Sequence, residues 1–121
     1  MTLARMALGK AGEDLACHEL ERRGYAVLAR RYRNRTGELD IVARDGPTIV
    51  FVEVKARAGS EFGAAEEAVT ALKRRRIINV ALDYLARHRL FGRPCRFDVV
   101  SVRGGSDGPS VEVITNAFSI D

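Results

Sequence analysis

The chain is poor in the residues that build thiolate, disulfide or membrane architectures. Its two cysteines, Cys17 and Cys95, show no C-x-x-C spacing, which excludes a zinc–thiolate centre and a disulfide framework. Both read as buried small hydrophobes. Its two histidines, His18 and His88, are far apart without ligand-type neighbours and read as surface residues. No apolar run approaches the ~20 residues of a bilayer span, and the opening MTLARMALGKAGEDL has no signal-peptide core. The expectation is a cytoplasmic protein that does not enter a membrane. Internal repeats and low-complexity tails are absent. Lysine is scarce too: of 20 basic residues only Lys10, Lys55 and Lys73 are lysines. The rest are arginine, the side chain suited to planar, bidentate contacts with phosphate.

What is present is an ordinary globular composition, 46% hydrophobic and 30% charged over 121 residues, which predicts one domain spanning 1–121. The net charge of +4 suits nucleic acid without requiring it.

The chain is organised around Gly37 to Lys55, GELDIVARDGPTIVFVEVK. Residues 38–43 and 48–54 read as strands, the second β-branched and aromatic enough to be central. Between them, Arg44-Asp45-Gly46-Pro47 carries hairpin turn residues. Because Pro47 has no N–H for a ladder, a four-residue loop is expected, with Ala43 opposite Thr48. That register sets Glu38 opposite Glu53 and Asp40 opposite Phe51. With period-two alternation, Glu38, Asp40, Glu53 and Lys55 share one face. Buried like charges are costly without compensation, and a hard divalent cation, Mg²⁺ or Mn²⁺, turns that cost into a phosphate-binding site. Lys55 then sits where it can stabilise an attacking hydroxide or a phosphoryl oxygen.

Elsewhere the pattern predicts a helix from Thr2 to Arg23 closed by Gly24, and a strand over Tyr25–Arg33. Glu13 shares a stripe with Gly9, Ala16 and Leu20, and either enters a polar site or lies exposed beside Lys10. Arg30, Arg31, Arg33 and Arg35 cluster beside the Asp40 strand, as a phosphate contact or a solvated edge. Residues 56–63 form a loop in which Arg57 approaches nucleic acid or merely connects. The longest helical run is 64–89. Lys73, four residues from both Val69 and Ile77, faces the sheet or snorkels within a surface cluster, while Arg74 and Arg75 point elsewhere. Cys95–Val102 and Val111–Thr115 are the last strands, joined by the glycine-rich loop Arg103–Ser110. The order α-β-β-β-α-β-β predicts an α/β sandwich with a central mixed sheet.

GE-x-D followed by FVEVK resembles the metal-binding signature of the PD-(D/E)xK nuclease superfamily, the restriction endonuclease-like fold shared by archaeal Holliday junction resolvases. Leu39 stands where the superfamily name has proline. From Gly9-Lys10-Ala11-Gly12-Glu13 through GELDIVA, VFVEVKAR and RFDVV to Asn116-Ala117-Phe118, the whole chain is similar to the YraN-like family of small bacterial proteins. The resemblance implies Asp40, Glu53 and the Val54 carbonyl as ligands of Mg²⁺ or Mn²⁺, with Glu38 or the helix-borne Glu13 completing the set. It implies Lys55 as the third catalytic residue, an endonuclease acting on DNA, branched substrates included, and a homodimer. Lys73, Arg57, Arg35 and Arg33 are the candidate nucleic-acid contacts. The rival expectation is a non-catalytic nucleic-acid-binding or adaptor protein on the same scaffold.

Overall fold

Two apolar stripes of different period divide the chain into helices and a sheet. A computed structural model describes residues 3–57, 69–105 and 107–119, with side chains from Lys10 onward. Its elements run α1 (Leu3–Arg22), β1 (Ala26–Arg33), β2 (Glu38–Asp45), β3 (Thr48–Arg57), α2 (Ala71–Arg87), β4 (Cys95–Arg103) and β5 (Ser110–Phe118). The five strands form one mixed sheet in the order β1-β2-β3-β4-β5, in which only β3 and β4 are parallel. The crossover between that pair contains α2, as a parallel connection requires.

Alternation along β3 sends its side chains into two cores. Ile49 and Phe51 pack with Ile77, Val80, Tyr84 and Leu85 of α2, while Val50 and Val52 pack with Ala16, Cys17 and Leu20 of α1. The central strand is therefore covered on both faces, which is why TIVFVEV is almost continuously apolar. Cys17 is buried, as expected, and Cys95 only half-buried. His18 is exposed, and His88 stacks on Tyr84 at 4.0 Å.

The expected hairpin register is corrected. Strand β2 continues through Arg44 and Asp45, and the turn is the two residues Gly46-Pro47, with Asp45 opposite Thr48 and Ile41 opposite Val52. Gly46 takes a φ of +58° and Pro47 a fixed negative one, the sign pattern of a type II′ hairpin turn. Proline thus sits in the turn itself, where its missing N–H costs nothing. The register moves by two residues, so within the paired stretch the faces stay the same, and its continuation points Glu53 at Asp40 and not at Glu38.

The second helix is also shorter than 64–89. Val69 and Thr70 are not helical, because the Thr70 hydroxyl accepts the Lys73 N–H at 3.2 Å and caps the helix start. Its end falls at the His88 cap, with Arg89 at φ +54°. Residues 58–68 of the expected loop and helix lie outside the described residues. Among those described, no helix is long and apolar enough to cross a membrane.

Helix α1 approaches the sheet closely at one point. A Cβ on Gly12 would lie 2.9 Å from the Ala56 Cβ, so any side chain there requires the helix to retreat from β3. Gly12→Val is expected to lower the unfolding free energy by about 1–3 kcal/mol, the usual cost of overpacking, as read from urea denaturation. A variant as stable as wild type would show that this contact does not set the helix position.

Candidate functional site

Strands β2 and β3 part company at one position. Their described pairing ends at Ile41–Val52, yet β2 continues along β1 to Arg33–Glu38, and β3 continues along β4 to Arg57–Arg103. In the fork, the Asp40 carboxylate accepts the Val54 N–H at 2.8 Å, taking the place of a strand-to-strand bond. Alternation also fails here. Leu39 and Val42 belong to the α2-side core, whereas Ile41 belongs to the α1-side core. On the neighbouring strand Arg31 has a φ of +54°, a left-handed conformation that costs a non-glycine residue energy. The distortion turns Asp40 into the opening.

Five charged side chains from four elements line that opening. Glu53, only 7% exposed, is held by Lys73 of α2 at 2.8 Å and by Lys55 of its own strand at 3.6 Å. Glu13 of α1 shares a cavity of about 320 Å³ with Asp40, Glu53, Val54, Lys55, Ala56 and Lys73. A second cavity of about 530 Å³ adjoins it, sharing Asp40, Glu53 and Lys73. Glu38 lines this second cavity and pairs with Arg33 at 2.9 Å.

The charges do not balance. Burial first, and then the Glu53 charge, push the Asp40 carboxyl up to about 7, against the pull of the Val54 N–H and Lys73. Burial and the neighbouring Lys73 ammonium lower the Lys55 pKa, opposed by Glu53. Burial also works against Lys73, but its contacts with Glu53 and Lys55 outweigh it and raise the pKa. The cluster therefore holds one carboxyl that protonates easily and one lysine that deprotonates more easily than usual. Perturbed pairs of this kind gather at functional sites.

As a metal site, the donor set centres on the two carboxylates of Asp40 and Glu53, which line both cavities, with Glu13 on the wall of the smaller and Glu38 on that of the larger. Among the described residues no three His, Cys, Asp or Glu side chains converge on a single point as a cage. Two carboxylates suit a cation that keeps several waters, the habit of Mg²⁺.

The structure thus gathers Glu13, Glu38, Asp40, Glu53, Val54, Lys55 and Lys73. It resolves both open orientations: Glu13 turns toward the opening and Lys73 toward the sheet. It separates Arg30 and Arg31 from the expected basic cluster. Arg30 binds Asp14 at 2.8 Å and Arg31 binds Glu13 at 3.2 Å, so α1 holds both. Arg33 and Arg35 remain exposed, and Arg57 ends β3 opposite Arg103. Sequence patterns missed Thr36, Thr70, Leu72 and Arg76, which line the larger cavity. Arg76 had a usable signal, since it lies one helical turn from Lys73.

Residues 12–102 match the family described as Uncharacterised protein family UPF0102. A UPF0102 protein of Geobacter metallireducens is 48% identical over 120 residues, covering 99% of this chain and 98% of its own. One from Symbiobacterium thermophilum is 49% identical over 112 residues, covering 92% and 95% of the two chains. One from Syntrophotalea carbinolica is 46% identical over 121 residues, covering 100% and 98%. With identity this high along nearly the full length, the YraN-like resemblance takes its definite form: the chain belongs to the UPF0102 family.

Proposed function

We propose that this chain is a metal-dependent phosphodiesterase acting on nucleic acid, with Asp40, Glu53 and Lys55 as its catalytic residues on a restriction endonuclease-like sandwich. The observation that carries this reading is the forked sheet. It brings the half-buried Asp40 and the buried Glu53 to one opening, at a cost visible in the Asp40 carboxyl, and faces them onto two adjoining cavities. A chain selected for stability alone gains nothing from that repulsion.

Mg²⁺ or Mn²⁺ would be held by Asp40, Glu53 and the Val54 carbonyl, with Glu13 or Glu38 as further donors. When bound, the ion supplies the positive charge that a phosphodiester needs as negative charge develops on it. The remaining work falls to side chains. Lys55, paired with Glu53 at 3.6 Å, orients the attacking water and stabilises the negative charge that develops on the phosphate, while the proton of the water passes to solvent. A new P–O bond forms as the bond to the leaving sugar oxygen breaks, and that oxygen takes a proton from solvent. Lys73, Arg33, Arg35 and Arg57 hold phosphates without reading sequence. The proposed substrate is DNA, branched forms included, cut by a cytoplasmic homodimer.

A second reading, a nucleic-acid-binding adaptor without catalysis, has one observation in its favour. Glu53 is already paired with two lysines, a neutralisation that needs no metal. Calorimetric titration of Mn²⁺ and Mg²⁺, with cleavage assays on linear and branched DNA, separates the two. The enzyme should bind metal saturably, lose that binding in Glu53→Gln, and lose about 10²–10⁴-fold in cleavage rate in Lys55→Ala. DNA binding with no cleavage in either metal would leave the adaptor.

A further inference from the structure

The two cavities that meet at Asp40 and Glu53 are unlike in size and lining. The smaller, about 320 Å³, is walled by Glu13, Val54, Lys55 and Ala56, a polar niche suited to water and a hydrated ion. The larger, about 530 Å³, falls within the ~300–1,000 Å³ usual for small-molecule sites. Its walls carry what the first lacks. Leu72 and Ile77 present apolar surface, Arg76 a guanidinium, and Thr36 and Thr70 hydroxyls. Gly37 contributes no side chain, leaving the loop backbone beside Arg76.

Leu72 is the oddity. It is 55% exposed, second only to Phe91 among the large apolar side chains of the described residues, and it stands beside a cluster of charge that includes the buried Glu53. An apolar side chain at the mouth of a phosphate site has a natural partner in the face of a nucleobase. Arg76 can stack on the same base or hydrogen-bond its edge. A base paired within a duplex cannot enter such a cavity, whereas an unpaired or extrahelical base can.

We infer that the larger cavity receives one unpaired nucleoside, and that the phosphate joined to it lies at Asp40 and Glu53. The substrate is then nucleic acid with a single-stranded or extrahelical nucleotide at the cut. This inference rests on the phosphodiesterase reading and narrows it. The shared lining of Asp40, Glu53 and Lys73 ties the two cavities together, so a nucleoside in one carries its phosphate to the edge of the other.

The test compares three labelled DNA duplexes: fully paired, with one unpaired nucleotide, and with that nucleotide made abasic. Affinity is read by fluorescence anisotropy in Ca²⁺, and cleavage in Mg²⁺ or Mn²⁺. The unpaired nucleotide should tighten binding about 10-fold over the paired duplex, and the abasic duplex should lose that gain. Cleavage should fall beside the unpaired nucleotide. Leu72→Ala, which places a better helix former at an exposed position, should cut the preference below about threefold. Leu82→Ala, an exposed apolar side chain outside the cavity, should leave it intact. Equal binding of all three duplexes, with cleavage retained, would overturn this inference and leave the phosphodiesterase standing. Absence of both binding and cleavage would overturn the two together.

Discussion

Asp40→Asn should give a protein that cleaves no nucleic acid and yet, above pH 7, is more stable than wild type. The Asp40 carboxyl is raised from 3.8 to about 7, by burial first and by Glu53 second. A raised folded-state pKa means that the folded protein binds this proton more tightly than the unfolded chain does. The stabilisation is therefore fully present below the unfolded value near 4, and is lost as pH rises through about 7. At ~1.4 kcal/mol per unit, the charged carboxylate costs the fold on the order of 4 kcal/mol at most. Asparagine has the same shape, keeps an oxygen for the Val54 N–H, and carries no charge. Urea denaturation followed by circular dichroism from pH 4 to 8, in chelator, should show wild type weakening relative to Asp40→Asn. Parallel pH profiles would sink the account. Saturating Mg²⁺ should restore part of the wild-type loss by mass action and leave the variant unchanged.

Asp98→Ala should be the most destabilising single change on β4, the strand beside β3, where Asp98 pairs with Val52. Asp98 is fully buried, with 0% exposure. It accepts the Arg96 Nε at 3.1 Å and the Asn116 N–H at 2.9 Å. The second bond matters because the β4–β5 pairing slips between Phe97 and Val99, and Asn116 sits at φ +56°. The carboxylate supplies the acceptor that the irregular ladder does not. Its removal takes from the Asn116 N–H its side-chain acceptor and deprives Arg96 of one of its two acids. Arg96 keeps Asp45 at 3.1 Å and the Tyr25 hydroxyl at 2.6 Å, so the loss should be about 3 kcal/mol, the low end for a broken buried ion pair. Asp98→Asn retains an oxygen for Asn116 and should recover part of it. Chemical denaturation of both variants decides: equal, small losses would show that solvent or backbone movement satisfies the gap.

Several features of this molecule were legible before any coordinates. The β-branched and aromatic run TIVFVEV and the turn residues Arg44-Asp45-Gly46-Pro47 place a central hairpin, and period two puts Asp40, Glu53 and Lys55 on compatible faces whatever the loop length, provided it changes by pairs. Lys73 was legible through its spacing from Val69 and Ile77. The turn length is not legible in the sequence, because Pro47 can lie inside a two-residue loop as readily as in a longer one, and only the strand pairing distinguishes them. The helix start is not legible either, because the Ala-rich sequence before Thr70 has helical propensity, while the Thr70 cap is a matter of geometry.

What the sequence by itself determined is the list of elements, the apolar stripes that bury them and the chemical character of the acids and lysines, since these depend on local periodicity and side-chain type. Only the tertiary structure decided that β2 and β3 fork at Asp40, that Arg30 and Arg31 turn to α1, and that a larger cavity with Leu72 and Arg76 adjoins the acids. The reason is physical. A strand's period is set by its own backbone, but a break in that period, and the space it opens, is set by which neighbours pull on each side of it.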